Sequence, residues 1–473
     1  MRQNLTFTKP NRRSFLASSA GAVCALFAGA PWIPALAATP ILSVASRTLE
    51  VNKKAATVFS LLGSNGKPGI KAQDGDRFSG DLLNSSNEPL QMHWHGQVKA
   101  PAIQDRARPD GGALAIGQTD AHDFALTPGT HWMHSHSLSE QQLLAAPMVA
   151  IEKDVGDIQD VVVMLHDFAF RTPQEILAEL VGGAAHAGSG GGMMSKMMKG
   201  GMMMGMTHAN DVKYDAFLAN DRTLDDPDVV TVDKGGSVRL RIINGGTATA
   251  FFISTPGLQS RCIAVDGNPC QPAAQASYPL AQGQRIDLVV DIPPEGGAFP
   301  ILAQVEADRF VTGIMLATQG ASIAKISVTA DQPQELTDLT FETLLRAANP
   351  LAAKSADQSF MVMLGEEPGY RWTINGRAHG GHQPFDVRLG ERIEMTFMNP
   401  TSMMHPMHLH GHHFQVVAIG GQRFSGALRD TVIVPAHNPV TVVFDANQKG
   451  SWFLHCHHLY HMASGMMTEV RIT

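Results

Sequence analysis

Beyond about residue 40 the chain is a succession of short runs rich in Val, Ile, Leu and Phe, broken by turns of Gly, Pro, Asn and Asp. Apolar runs of strand length at close spacing predict an all-β chain of sandwiches, not βαβ units. Two departures stand out. Thr172-Pro173-Gln174-Glu175 offers an N-cap, a Pro at the first helical position and a Glu three residues on, predicting a short helix over Pro173 to Val181. A second, amphipathic helix is expected around Leu336 to Arg346, inside a linker.

A repeat organises the strands. Gly75, Gly235 and Gly390 each lead a strand that ends in Asn nine residues later, at Asn84, Asn244 and Asn399. Nine residues after Asn84 stands His93, followed by His95; nine after Asn399 stands His408, followed by His410. The middle copy has Ile253 and Thr255 there. Gly129 leads by five to His134-Ser135-His136, and Gly450 by five to His455-Cys456-His457, whereas the middle counterpart near Pro300 to Ala303 has no histidine. Three related units follow, with metal chemistry in the first and third only.

The length of 473 residues suits three domains at about 150 residues each. With 36 basic and 43 acidic side chains the net charge is -7, spread without a basic block, and aromatic content is 6%, which disfavours nucleic acid as a partner. Asn11-Arg12-Arg13-Ser14-Phe15-Leu16, a short apolar run and Ala35-Leu36-Ala37 read as a twin-arginine signal with its cleavage site. The expected mature protein is periplasmic, exported folded by the Tat machinery, with no membrane span. Cys24 leaves with the signal; Cys262 and Cys270 flank a turn and either bridge a hairpin or are two unpaired core thiols. Cys456 is then unpaired in an oxidising compartment, which calls for a chemical reason such as metal ligation.

That reason lies in its neighbours. In an extended strand His455 and His457 share one face and Cys456 takes the other. A single His-x-His pair is more often structural than metal-binding, but His93/His95, His134/His136, His408/His410 and His455/His457 occupy repeat-related positions, which reverses that weighting. Eight imidazoles suffice for a polynuclear site. On the opposite face, His405, Cys456 and His461 with a weak thioether, Met466, make the His₂Cys plus Met set of blue copper. Zinc favours other donor sets, and an iron–sulfur cluster needs more thiolates than the chain has.

These motifs, His93-Trp94-His95-Gly96, His134-Ser135-His136, His405-Pro406-Met407-His408-Leu409-His410-Gly411 and His455-Cys456-His457 with His461 and Met466, resemble the four copper motifs of three-domain multicopper oxidases, above all bacterial periplasmic copper-resistance and cuprous oxidases. The resemblance implies cupredoxin-like Greek-key sandwiches over 38–155, 156–320 and 360–473, after a signal at 1–37. A Met-rich insertion would occupy 182–210 and a linker 321–359. It implies four copper ions: type 2 on His93 and His408; a type 3 pair on His95, His134, His136, His410, His455 and His457; type 1 on His405, Cys456, His461 and Met466. Met467 fits the spacing less well. Asp110 matches the family's acid near type 2 copper, although an ordinary turn Asp has the same appearance. The acid that cuprous oxidases carry directly after the helix histidine is Met462 here.

By the same resemblance, the expected activity is one-electron oxidation of Cu(I) or phenolic donors coupled to reduction of O₂ to water, in a monomer serving copper tolerance. Eight of the fourteen residues from Met193 to Met206 are Met, a soft donor set for Cu(I) or an incidental low-complexity loop. Met403 matches a substrate-copper methionine, but its partner acid is Thr401 here. His131, His412, His413 and His458 lie beside the motifs and are read as outer-shell or surface residues. The rival readings are a laccase-like oxidase of organic donors and a non-catalytic copper-binding or division-associated relative.

Overall fold

The computed structural model describes residues 41–189, apart from 154, 155 and 157, and 209–473. The expected signal and the Met193 to Met206 tract lie outside the described residues. Six sheets pack in pairs around three apolar cores. In the first pair, a sheet of Ile41–Val51, Lys54–Leu62, Arg77–Asn84 and Thr119–Ala125 packs on one of Ile70–Gln73, Met92–His95, Gly129–Ser135 and Ala145–Ile151. Leu42, Phe59, Leu82 and Phe124 from one sheet meet Met92, Trp94, Met133 and Met148 from the other. Six- and five-stranded sheets form the middle sandwich, and seven- and five-stranded sheets the third. The all-β reading holds.

The repeat is physical. In every sandwich the opening strand runs parallel to the strand that ends in the repeated Asn: Ile41 to Val44 beside Asp81 to Asn84, Gln159 to Leu165 beside Val238 to Asn244, and Gln358 to Met363 beside Ile393 to Met398. The leading glycines have φ of 98°, 68° and 88°, a left-handed turn that a side chain would strain. Each Asn is buried and does the same work. Its amide NH₂ donates to two carbonyls, those of Glu88 and Leu114, of Thr249 and Leu280, or of Met403 and Val434. Its oxygen accepts from the backbone N–H two residues on, at Ser86, Gly246 or Thr401. One side chain thus fixes the path of the loop that leads to His93, Ile253 or His408.

The helices depart from expectation in length. The first spans Pro173–Ser189, with the anticipated capping box: Thr172 N–H donates to Glu175 Oε2 at 2.8 Å and Glu175 N–H to Thr172 Oγ1 at 3.2 Å. The second shrinks to Thr340–Leu344. It stops because the Arg346 carbonyl accepts from Gln271 N–H and Ala347 N–H donates to Gly426 O, so that stretch is drawn out against neighbouring strands.

Replacing Asn244 by Ala leaves two buried carbonyls and one N–H without partners and is expected to cost about 2–4 kcal/mol. Scanning calorimetry should show a thermal midpoint lowered by several degrees; an unchanged midpoint would refute the role given to this residue.

Candidate metal centres

Two strand pairs carry the histidines in equivalent register. In the first sandwich His93 lies directly opposite His134; in the third, His408 lies opposite His455 and Met407 opposite Cys456. Strand alternation then sends the two donor types apart, as anticipated. The eight histidines of the four pairs are buried and converge between the first and third sandwiches. They fall into three groups. His93 Nε2 faces His408 Nε2 at 3.2 Å. His455 Nε2 lies 3.2 Å from His136 Nε2 and 3.1 Å from His410 Nε2. His95 Nδ1 lies 3.4 Å from His134 Nε2, with the His457 ring 5.2 Å and 5.1 Å from those two rings.

Several of the nitrogens that do not face one another are held by fixed acceptors. His408 Nδ1–H donates to the Asp430 carbonyl, His410 Nδ1–H to Ala107 O, His455 Nδ1–H to Cys456 O and His134 Nδ1–H to Ser135 O. His93 Nδ1 is 2.6 Å from Asp105 Oδ2. A carbonyl can only accept, so in the four carbonyl-bonded rings the proton sits on Nδ1 and the Nε2 lone pair points into the cluster. Burial, reinforced by neighbouring imidazoles, holds His93, His410 and His455 well below their ordinary value, and burial draws His408 to about 4. They are neutral, the state that ligates metal.

The second centre lies on the other face. His405 Nδ1 and His461 Nδ1 are 3.6 and 3.8 Å from Cys456 Sγ and 3.2 Å from each other, all fully buried. Burial pushes the Cys456 thiol up. Met466 is buried too, and its backbone closes the site: Met466 N–H donates to His461 O and Cys456 N–H to Met466 O. Met467 is only partly buried. Thr401 Oγ1 lies 2.8 Å from His405 Nε2, and Met403 is buried beside it.

The structure corrects one expectation and supplies groups the sequence did not single out. Asp110 is 81% exposed and pairs with Arg108, so its side chain is turned away from the histidines. The carboxylate at the cluster is Asp105, buried on His93, and burial pushes its carboxyl up to about 8. Its only sequence signal is being the other Asp downstream of the first histidine motif. Glu140 is buried 3.1 Å from His134 Nδ1. Asp430 touches His95 Nε2 at 3.0 Å and forms a buried ion pair with Arg285 of the middle sandwich, 2.5 Å long. Burial alone would raise the Asp430 carboxyl, but Arg285 holds it well below the usual range. Asp211 reaches His458 Nε2 at 3.2 Å and His461 Nε2 at 3.5 Å. His131, His412 and His458 are buried and His413 half-buried; burial draws His131 to about 3 and His412 and His413 to about 4.

Family models described as multicopper oxidase match residues 43–154, 160–322 and 353–473. The chain belongs to the multicopper oxidase family. It is 28% identical to multicopper oxidase MmcO of Mycobacterium tuberculosis over 87% of this chain and 83% of that protein. It is 23% identical to copper resistance protein A of Escherichia coli, over 86% and 88% respectively. Among solved structures it superposes on a laccase mutant from B. aclada with a TM-score of 0.75 at 20% identity, covering 91% of this chain and 87% of that one. McoA multicopper oxidase from Aquifex aeolicus gives 0.68 at 22% identity, covering 92% and 96%.

The donors fit the family's copper. Imidazoles with a single thiolate suit copper, and no hydrogen bond occupies either ring nitrogen of buried His457, so its lone pair is free to ligate. Asp430→Asn should weaken retention of copper by roughly 10–100-fold, the scale of outer-shell losses. Metal analysis after dialysis against a chelator reads this; full retention would show that Asp430 does not orient His95 and His408.

Proposed function

We propose that this multicopper oxidase couples one-electron oxidation of Cu(I), and of phenolic donors, to four-electron reduction of O₂ to water in copper tolerance. Its residues would hold four copper ions: type 1 on His405, Cys456, His461 and Met466, type 2 on His93 and His408, and a type 3 pair on the remaining six histidines. Copper supplies the one-electron redox and dioxygen chemistry when bound. The observation that carries this reading is the double use of one backbone segment, with Cys456 Sγ beside His405 and His461 while its neighbour His455 lies against His136 and His410. His455-Cys456-His457 is thus a covalent path between the two centres.

The protein's own groups complete the chemistry. Asp105, on His93 Nδ1, is the acid positioned to hold and return protons for water formation. Asp211, whose side chain is 17% exposed, joins solvent to the outer nitrogen of His461, whereas the corresponding nitrogen of His405 is capped by Thr401. A cation or a phenolic O–H is the donor such a carboxylate favours. Similarity to copper resistance protein A supports the copper-tolerance reading, and the twin-arginine leader supports periplasmic export through the Tat route.

Oxygen uptake by the copper-loaded protein with Cu(I) or a phenol tests the activity; no uptake with either would favour the copper-binding reading. Cys456→Ser should abolish both the intense blue band and turnover. Asp105→Asn should lower kcat by about 100-fold with the blue band intact, and an unaltered kcat would remove Asp105 from the proton path. Deleting Met193 to Met206 should lower Cu(I) oxidation more than phenol oxidation, equal losses favouring the laccase-like reading.

A further inference from the structure

The hairpin of Ser260–Val265 and Asn268–Ala273 in the middle sandwich carries the remaining two cysteines of the described residues. Its turn, Asp266 and Gly267, is wedged between the outer sandwiches. Asp266 is fully buried; Oδ1 accepts from Arg285 N–H at 2.9 Å, and Oδ2 faces Arg429 at 3.2 Å and the N–H groups of Asp430 and Thr431 at 3.4 and 3.3 Å. A Cβ on Gly267 would stand 2.3 Å from the His131 ring, so no side chain fits at the turn. Asp266 therefore fixes the backbone of Asp430, the residue that touches His95 and His408.

Behind this turn the hairpin is irregular. The ladder changes register between Cys262 and Ala264, both toward its partner strand and toward Arg285–Asp291. The outer strand is an edge, tied to the linker through Gln271 N–H to Arg346 O and Ala348 N–H to Pro269 O. At the break, the Sγ atoms of Cys262 and Cys270 lie 3.8 Å apart, with Cys262 0% and Cys270 5% exposed.

We infer that Cys262 and Cys270 are oxidised to a disulfide in the exported protein, and that this bond braces the Asp266 turn against Asp430. The less deeply buried member of the pair is also its more acidic one: the contact with Cys262 draws the Cys270 thiol down, while burial pushes Cys262 up. Cys270 thiolate attacks a disulfide-bearing oxidant, forming a mixed disulfide and releasing one thiolate. Cys262 then attacks the Cys270 sulfur, its proton passing to the departing sulfur, which leaves as the second thiol. The pair loses two electrons and the oxidant's disulfide gains them. The brace lies where the ladder of hydrogen bonds is broken, so a covalent link there limits fraying that backbone pairing leaves unopposed.

The inference rests on the export reading above. Peptide mapping without reductant, after alkylation of the denatured exported protein, should find the peptides of Cys262 and Cys270 joined and Cys456 alkylated alone. Alkyl groups on both Cys262 and Cys270 would overturn the inference. Full-length chain purified from inside the cell and treated with oxidised glutathione should form the same link. If the chain is found only inside the cell yet forms the link on this treatment, export fails and the pair's chemistry stands; no link under either condition overturns the disulfide. In Cys270→Ala, hydrogen exchange across residues 263 to 272 should be at least several-fold faster than in the oxidised wild type, and equal rates would overturn the bracing role.

Discussion

The site depends on a buried ion pair between two sandwiches. Arg285, from the middle sandwich, and Asp430, from the third, are both buried, and an isolated charge there would cost several kcal/mol. The pair is sustained because its other bonds are filled: Arg285 also donates to the carbonyls of Thr130 and Gly283, and Asp430 accepts from Thr431 and meets His95. Removing either partner would leave a charge stranded among neutral imidazoles. The middle sandwich offers no histidine to the cluster at the repeat positions, yet it supplies this arginine, Asp266 and the close approach of Gly283 to the His457 ring. Without histidines at those positions, it has a supporting role.

Much of this was legible before the fold. The recurring Gly to Asn spacing marks a strand and a pinned loop, and that loop sets the register of His93 and of His408. Parity along a strand is enough to separate Cys456 from His455. What was not legible are the groups that meet the histidines across long separations. Asp430 and Arg285 carry no local pattern; their meaning comes from a pairing 145 residues apart. Asp105 was missed for a related reason. It and Asp110 both follow the first histidine motif, and only the short 3-10 turn at Ala102–Gln104 decides which one faces inward.

The linker shows the opposite failure. Its apolar spacing near Leu336 to Arg346 suits a helix, and a helix does begin at Thr340, but tertiary bonds from a strand of the middle sandwich and a loop of the third take over the backbone after Leu344. Local propensity is a weak preference against partners of that kind. At Thr172 no such competitor exists and the capping box determines the outcome.

Every histidine group of the cluster draws members from both ends of the chain: His93 with His408, His136 with His410 and His455, His95 and His134 with His457. By contrast His405, Cys456 and His461 come from one sandwich alone. The sulfur centre is thus a local property, available as soon as its own sandwich has formed. The imidazole cluster is a property of the assembled chain, and any ion it holds acts as a clasp across more than 300 residues. Its occupancy is therefore a gauge of whether the outer sandwiches have closed on each other.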